Sequence, residues 1–442
     1  MASLLASTSF TIAVPALTAE FGIPASEAPW TLTGFLTAMT IGMLPTAWLL
    51  ERLGYRWLFL IALGVLAGAG VAGYFAPSFP VVVGLRILQG AMAGILQPLS
   101  MVTVMRLMPA EQRGRASGVL GFAIVLAPVT APTLAGYLVD HFGWRSLFLM
   151  NLPLCALAAP LALALLPDLR SQERRGFDVP GLALLTVFSL ALVTAIGALR
   201  VSGAASPLAL ALAVVAAVAL AGFIFHARRA AHPILSLEAF ADPTFAFGMA
   251  VTFSYGFGLY ASSYLIPVFL QSAAHFSATN AGAALLPAGV ILPFTILLAG
   301  RMTDHYPPLS LTIGGLALFG VSALIFGGLG LRFSYAGVVA GAVVGRVGLG
   351  FILPALSVAS MIHLTREQMS HASVMVSYAR QMGATLGIAV PAVFEAWREE
   401  ALRGHVEAVA WAYSESFVMV AGVFLFALFA ASRMRSAPHR RA

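Results

Sequence analysis

Lysine is absent from this chain, cysteine occurs once, and charged residues of every kind fill only 9% of its 442 positions. Each scarcity excludes something. A soluble globular domain carries about 25% charged residues. A sequence that is 60% hydrophobic, with mean hydropathy +0.93, has too little polar material to cover a water-facing surface. It is an integral membrane protein. The lone Cys155 admits no internal disulfide, and on an apolar stretch a single thiol is read as packing. Alternating polar and apolar positions, the mark of barrel strands, are missing too. In their place stand uncharged runs close to the roughly 20 residues that carry an α-helix across about 30 Å of hydrocarbon. Only helices and closed barrels satisfy a backbone in lipid, so the fold class is all-α integral membrane. The formal charge of +7 comes from 24 arginines placed mostly at helix ends, which argues against nucleic acid as a partner.

The opening MASLLASTSFTIAVPAL has no basic leader region and no cleavage-like break, so it reads as a first membrane helix rather than a signal peptide. The chain starts almost inside that helix, and a short cytoplasmic leader is expected to be missing. Cutting at charges, Pro/Gly turns and polar clusters gives about fourteen apolar segments: 2–18, 29–50, 57–76, 81–103, 116–138, 147–166, 179–199, 206–226, 245–270, 279–300, 309–330, 334–360, 373–395 and 416–432. With a cytoplasmic N-terminus, sixteen arginines fall on the cytoplasmic face and five on the other: Arg145, Arg200, Arg332, Arg398 and Arg403. That asymmetry follows the positive-inside rule. It predicts both termini in the cytoplasm and a place in the inner (cytoplasmic) membrane. Arg86, Arg346 and Arg380 lie within segments.

GILQPLS (94–100) and GFILPALS (350–357) pair Gly94 with Gly350 and Pro98 with Pro354 at an offset of 256, and Ala116-Ser117 pairs with Ala372-Ser373 at the same offset. Glu51 pairs with Asp304 at 253. The landmarks predict a duplicated six-helix unit, 1–170 and 236–442, with two linker helices in 171–235. Like-oriented halves about a midplane site are a transporter architecture.

Four motifs carry a family resemblance. AWLLERLGYR (47–56) is similar to G-x-L-a-D-r-x-G-r-r, with Glu51 at the acid position, Arg52, Gly54 and Arg56 matching, and Ala47 replacing the glycine. GLRILQGAMAG (84–94) resembles R-x-x-Q-G-x-G through Arg86, Gln89 and Gly90. VLAPVTAPTLAGYL (125–138) resembles G-P-x-x-G-P-x-x-G-G at Pro128, Pro132 and Gly136, with Ala127, Ala131 and Ala135 for glycines. GWRSLFLMNLP (143–153) is close to G-W-R-x-x-F-x-x-N-x-P, and FLQ (269–271), LLPAG (285–289) and YARQMGATLG (378–387) continue the match. Together they resemble the major facilitator superfamily, in its fourteen-helix drug:proton antiporter branch, over almost the whole chain.

The resemblance implies a secondary efflux transporter that exports small amphipathic compounds by alternating access and takes protons as the coupled ion. It implies a monomer in the bilayer with no cofactor and no enzymatic activity. Arg86 becomes the motif arginine of proton coupling; snorkelling to the outer interface or pairing with a carbonyl is its plainer alternative. Glu51, Arg52 and Arg56 form the cytoplasmic loop that latches one state, and Asp304 is its second-half counterpart. Pro128, Pro132 and Gly136 mark a bent, smooth helix at the interface of the halves; prolines are tolerated where neighbours satisfy the freed carbonyls.

A charge within a membrane segment is costly and marks function by default, which adds Arg380 and Arg346 as candidates. Ala6 stands where the branch carries a helix-one Asp, and no Asp or Glu lies near the middle of any segment. Proton exchange therefore falls to Glu395, an end-of-helix acid or a His, or else coupling is altered or absent. A mostly apolar cavity would draw on Trp30, Phe35, Gln89, Tyr255, Tyr260 and Tyr264, with Arg86 or Arg346 steering a neutral, weakly acidic or zwitterionic amphiphile. The alternatives are a dedicated exporter of a natural product, siderophore or lipid, and a non-transporting receptor or scaffold. A membrane enzyme finds no nucleophile–base set, no metal cluster and no phosphate loop in the sequence.

Overall fold

Among the described residues the apolar segments form helices. The computed structural model describes residues 10, 13–23, 30–166, 176–202, 206–272, 278–329, 334–365, 368–402 and 408–435. In chain order the helices are α1 (Val14–Phe21), α2 (Trp30–Gly42), α3 (Thr46–Tyr74), α4 (Phe79–Leu107), α5 (Arg113–Phe142), α6 (Ser146–Leu149), α7 (Leu152–Leu165), α8 (Val179–Ser202) and α9 (Pro207–Ala227). They continue as α10 (Pro243–Ser272), α11 (Ala278–His305), α12 (Pro308–Leu329), α13 (Tyr335–Ala359), α14 (Gln368–Ala401) and α15 (Ala408–Ser432). Ten spans among the described residues are long and apolar enough to cross a membrane. No strand occurs among them.

Two apolar runs are broken where the sequence expectation had them continuous: 147–166, which α6 and α7 share across Met150–Asn151, and 29–50. The run 29–50 is broken at Met43–Pro45, where three-residue turns carry the chain (Leu44 N–H to Ile41 O, Thr46 N–H to Met43 O), because Pro45 has no N–H to continue the helical ladder. After that break α3 runs on through the motif loop, interrupted only at Gly54, whose φ of 77° and ψ of 170° place it in a region essentially reserved for glycine. The motif glycine is thus the whole of the turn between two membrane segments.

The chain divides into two compact units. The first comprises 1–107, 123–186 and 225–236. Its core gathers Leu58, Leu66, Leu96, Leu99 and Cys155 between α3, α4 and α7, which makes the lone thiol a packing residue. The second comprises 108–122, 187–224 and 237–442, with an aromatic core in which Phe269 meets Phe417 and Tyr413, Phe326 stacks on Phe417 at 5.0 Å, and Phe319 lies 4.1 Å from Phe424.

Lipid tails are as apolar as leucine, so helices associate in a membrane by close backbone approach through small residues. Both units do this with a Gly-x-x-x-Gly pair. In the first, Gly90 and Gly94 of α4 lie against the Phe35 and Met39 carbonyls of α2, and Gly42 reciprocally lies against Ala91. In the second, Gly383 and Gly387 of α14 lie against the Phe253 and Phe257 carbonyls of α10, and Gly256 lies against the Arg380 carbonyl. The landmark glycines also pack alike: Gly94 sits on Met39 and Gly350 on Thr295, both partners displaced by the same 256 positions.

Candidate functional site

Arg86 is the largest side chain sealed inside the protein, with no exposed surface. Its guanidinium lies between two rings, 4.2 Å from the centroids of both Phe10 and Phe35. Nε donates to the Thr31 carbonyl at 3.2 Å and Nη1 to Gln89 Oε1 at 3.1 Å. The side chain turns inward instead of snorkelling, and it makes the carbonyl pairing that the plainer alternative named, at Thr31. Two aromatic faces offer it the cation–π attraction that is strongest when desolvated. Phe35 and Gln89, expected in a cavity, are instead closed around Arg86, while Trp30 at the start of α2 is 57% exposed.

The second unit gathers the other intramembrane candidates. Arg346 of α13 donates to the Ser263 hydroxyl of α10 at 3.1 Å; Arg346 is half-buried and Ser263 exposed. Arg380 of α14 is half-buried, and the contact of its carbonyl with Gly256 sets it beside Tyr255. Tyr255 stands next to Gly256 on α10, with Tyr260 just over one turn farther along. Its buried hydroxyl has no hydrogen-bond partner among the described residues. Farther along the same two helices the Tyr264 hydroxyl donates to Glu395 at 3.4 Å, and Glu395 is only 8% exposed. The sequence grouped the tyrosines with Arg346 and set Arg380 and Glu395 apart from them; the fold carries all of them on three helices, with α10 packed against both α13 and α14.

In the motif loop Arg52 lies over the Trp48 ring at 5.0 Å, and Arg56 Nε donates to the Leu166 carbonyl at 2.8 Å, tying α3 to the end of α7. Glu51 is half-buried beside them. Its counterpart Asp304 accepts the Arg115 backbone N–H at 3.0 Å. It sits at the N-terminus of α5, where unpaired N–H groups and the helix dipole favour an anion. A Cβ on Gly114 would stand 2.5 Å from the Asp304 carboxylate, and one on Gly300 2.6 Å from the Gly118 Cα, so glycine is what lets α11 reach the start of α5. The α5 backbone is helical through positions 128, 132 and 136. The side chains of Pro128, Pro132 and Gly136 lie outside the described residues, as does Ala6.

The structure also uses two acids that the sequence did not single out, Glu20 and Asp178. Gly143, at φ 76°, turns the chain so that Trp144 Nε1 and Arg145 Nη1 both donate to Glu20 at 2.5 Å, and GWR becomes an anchor for the end of α1. Asp178 joins three pieces of chain. Its carboxylate accepts the Gly181 N–H at 2.9 Å, accepts the Ile234 N–H at 2.9 Å, and pairs with His226 Nε2 at 2.6 Å. The available signal was an Asp just ahead of a Pro-led apolar helix. Burial pushes this carboxyl upward, but the hydrogen bonds from Gly181, Ile234 and His226 outweigh it and hold the group below its usual 3.8. A depressed value stabilises the fold above the unfolded-state pKa, and that contribution is lost as pH falls through the folded-state one. Thermal unfolding in detergent should therefore show stability dropping below about pH 4. Asp178→Ala should flatten that acid limb and cost roughly 1–3 kcal/mol at neutral pH for each buried donor left unpaired. An unchanged melting profile in the variant would remove Asp178 as a tie.

Among the described residues no group of three or more His, Cys, Asp or Glu is placed to hold a metal ion. The model of the Major Facilitator Superfamily matches residues 1–388. The chain is 28% identical over 386 residues to a multidrug resistance protein B homolog of Mycobacterium tuberculosis, covering 85% of this chain and 70% of the other. It is 27% identical over 395 residues to the lincomycin resistance protein LmrB of Bacillus subtilis (88% and 81% covered). It is 28% identical over 403 residues to a probable actinorhodin transporter of Streptomyces coelicolor (88% and 69%). In fold it is similar to the proton:xylose symporter XylE, with TM-score 0.64, 17% identity and 95% and 92% of the chains covered. The human organic anion transporter MFSD10 superposes with TM-score 0.62 at 16% identity, covering 97% of each chain. With a family match over most of its length and a helical fold shared with solved members, the chain belongs to the Major Facilitator Superfamily and is a multi-pass membrane transporter.

Proposed function

We propose that this transporter is a secondary efflux pump, exporting small amphipathic compounds across the cytoplasmic membrane by alternating access coupled to proton antiport. It works as a monomer of fourteen crossings, both termini cytoplasmic, with bundles at 1–170 and 236–442 joined by two helices in 171–235. The observation that carries export is similarity along 85% or more of the chain to proteins named for drug resistance. The equal displacement of the Gly94–Met39 and Gly350–Thr295 contacts supports the duplicated halves. In the pump, Arg86 holds the charge that coupling acts through, and Glu395, the enclosed acid beside the Tyr264 hydroxyl, carries the proton. Asp304 and Glu51 latch the cytoplasmic ends, and Pro128, Pro132 and Gly136 shape the helix on which the halves move. The similarity to a probable actinorhodin transporter supports a second reading, a dedicated exporter of one natural product.

The test is accumulation of lincomycin in cells with and without the protein, each with and without a proton uncoupler. Expressing cells should hold less drug, and the uncoupler should abolish the difference. Extrusion that survives uncoupling would remove proton antiport while leaving export intact. Equal drug content in all conditions would remove lincomycin as a cargo.

A further inference from the structure

We infer that the second unit holds a binding site for an organic anion along α10, where Arg346 bonds to Ser263 and the Arg380 backbone lies on Gly256, so that the exported amphiphile bears a carboxylate, sulfonate or phosphate group. This rests on the transporter reading above and names its cargo class.

Depth makes the arginines informative. Arg346 stands 11 residues from the start of α13 and 13 from its end, and Arg380 stands 12 residues into α14. At about 1.5 Å per residue, both are some 16 Å or more from a helix end. Two positive charges at that depth ask for compensation. Neither guanidinium forms an ion pair with a carboxylate among the described residues; Arg346 has the Ser263 hydroxyl instead. Glu395 lies 15 positions beyond Arg380 on α14, about 22 Å along the axis. Asp304 stands at the far end of α11.

The locus is therefore rich in donors and poor in acceptors. It offers two forked guanidiniums and a buried Tyr255 hydroxyl left without a partner among the described residues. Guanidinium forks match carboxylate, sulfonate and phosphate oxygens, and such charge-assisted bonds are the strong ones. Neither arginine is sealed in: both are half-exposed, and Ser263 is exposed. The rings of Tyr260 and Tyr264, also half-exposed, supply a surface for the apolar part of the ligand. Arg86 differs in this respect, because its two rings, a carbonyl and Gln89 already enclose it. An organic cation would enter against two like charges.

The test uses the full chain in nanodiscs and two dyes on one xanthene scaffold, anionic fluorescein and cationic rhodamine 6G, followed by fluorescence anisotropy. Fluorescein should bind and rhodamine 6G should not displace it. Arg346→Gln and Arg380→Gln should each weaken fluorescein binding roughly 10- to 100-fold, while Arg346→Lys and Arg380→Lys retain most of it. Because a Gln variant can fail to fold, the wild type is also challenged with benzenesulfonate and uncharged benzenesulfonamide; only the sulfonate should displace fluorescein. Equal displacement by both, no fluorescein binding, or Gln variants that bind as the wild type does would overturn the anion site. Proteoliposome flux separates the two readings. Rhodamine 6G flux without fluorescein binding keeps export and removes the anion site. Arginine-dependent fluorescein binding without flux of either dye keeps the site and removes export.

Discussion

Valine in place of Gly383 is expected to abolish the folded protein. A Cβ at this position points at the Phe253 carbonyl oxygen and would lie 3.0 Å from both the Phe253 carbonyl carbon and the Phe257 nitrogen. These are backbone atoms in the middle of α10, so no rotamer change relieves the contact. The same face is fixed twice more, by Gly387 on Phe257 and Gly256 on Arg380, so α10 and α14 must separate along their shared length. Overpacking an ordinary core costs about 1–3 kcal/mol, occasionally more. Here the obstacle is main chain, and in lipid no hydrophobic force restores the pair once close packing is gone. Gly64 of α3 has nothing within 4 Å of its would-be Cβ and serves as the control. Size-exclusion profiles and thermal unfolding of both variants decide the matter. Gly64→Val should remain monodisperse with a near wild-type melting temperature, whereas Gly383→Val should be lost to aggregate. Equal stability of the two would mean that α10 and α14 are not held by backbone contact.

That glycine pair marks the limit of what the residues disclosed in advance. Hydropathy located ten spans that the described helices match, because a helix in hydrocarbon must be continuously apolar over a known length. The motifs placed Arg86 with Gln89 because both belong to one helical stretch. The rotation of each helix about its axis was not legible: where lipid lies on one side and apolar protein on the other, the two faces of a helix look alike in sequence. Gly383 therefore announced a small residue but not its partner Phe253, 130 positions away. Asp178 with Ile234, and Glu20 with Trp144 and Arg145, are long-range ties of the same kind, between groups whose separation carries no periodic signal. The Arg346–Ser263 contact was equally hidden.

Arg86→Met should separate what the buried charge does for the fold from what it does for transport. Two terms oppose each other in stability. Removing the guanidinium deprives Gln89 Oε1 of its donor and Phe10 and Phe35 of a cation, each a loss of order 1 kcal/mol. It also removes a charge held at 0% exposure, and replacing buried ions by apolar side chains of similar volume is often neutral or stabilising by about 1–4 kcal/mol. Methionine is unbranched and fills the slot between the two rings, so the terms nearly cancel and the variant should fold with a melting temperature close to that of the wild type. Transport has no such compensation. A charge retained at that depth without net benefit to stability is retained for work, and extrusion should fall roughly 10-fold or more, the equivalent of at least 1.4 kcal/mol of lost coupling. Arg86→Lys, which keeps the charge but cannot bridge Thr31 and Gln89 with one planar fork, should fall between the two. Drug efflux in cells and unfolding of the purified protein, measured on the same three proteins, give the answer. Normal efflux by Arg86→Met would reduce Arg86 to a packing residue, and collapse of the fold would show that the rings around it need a cation to close.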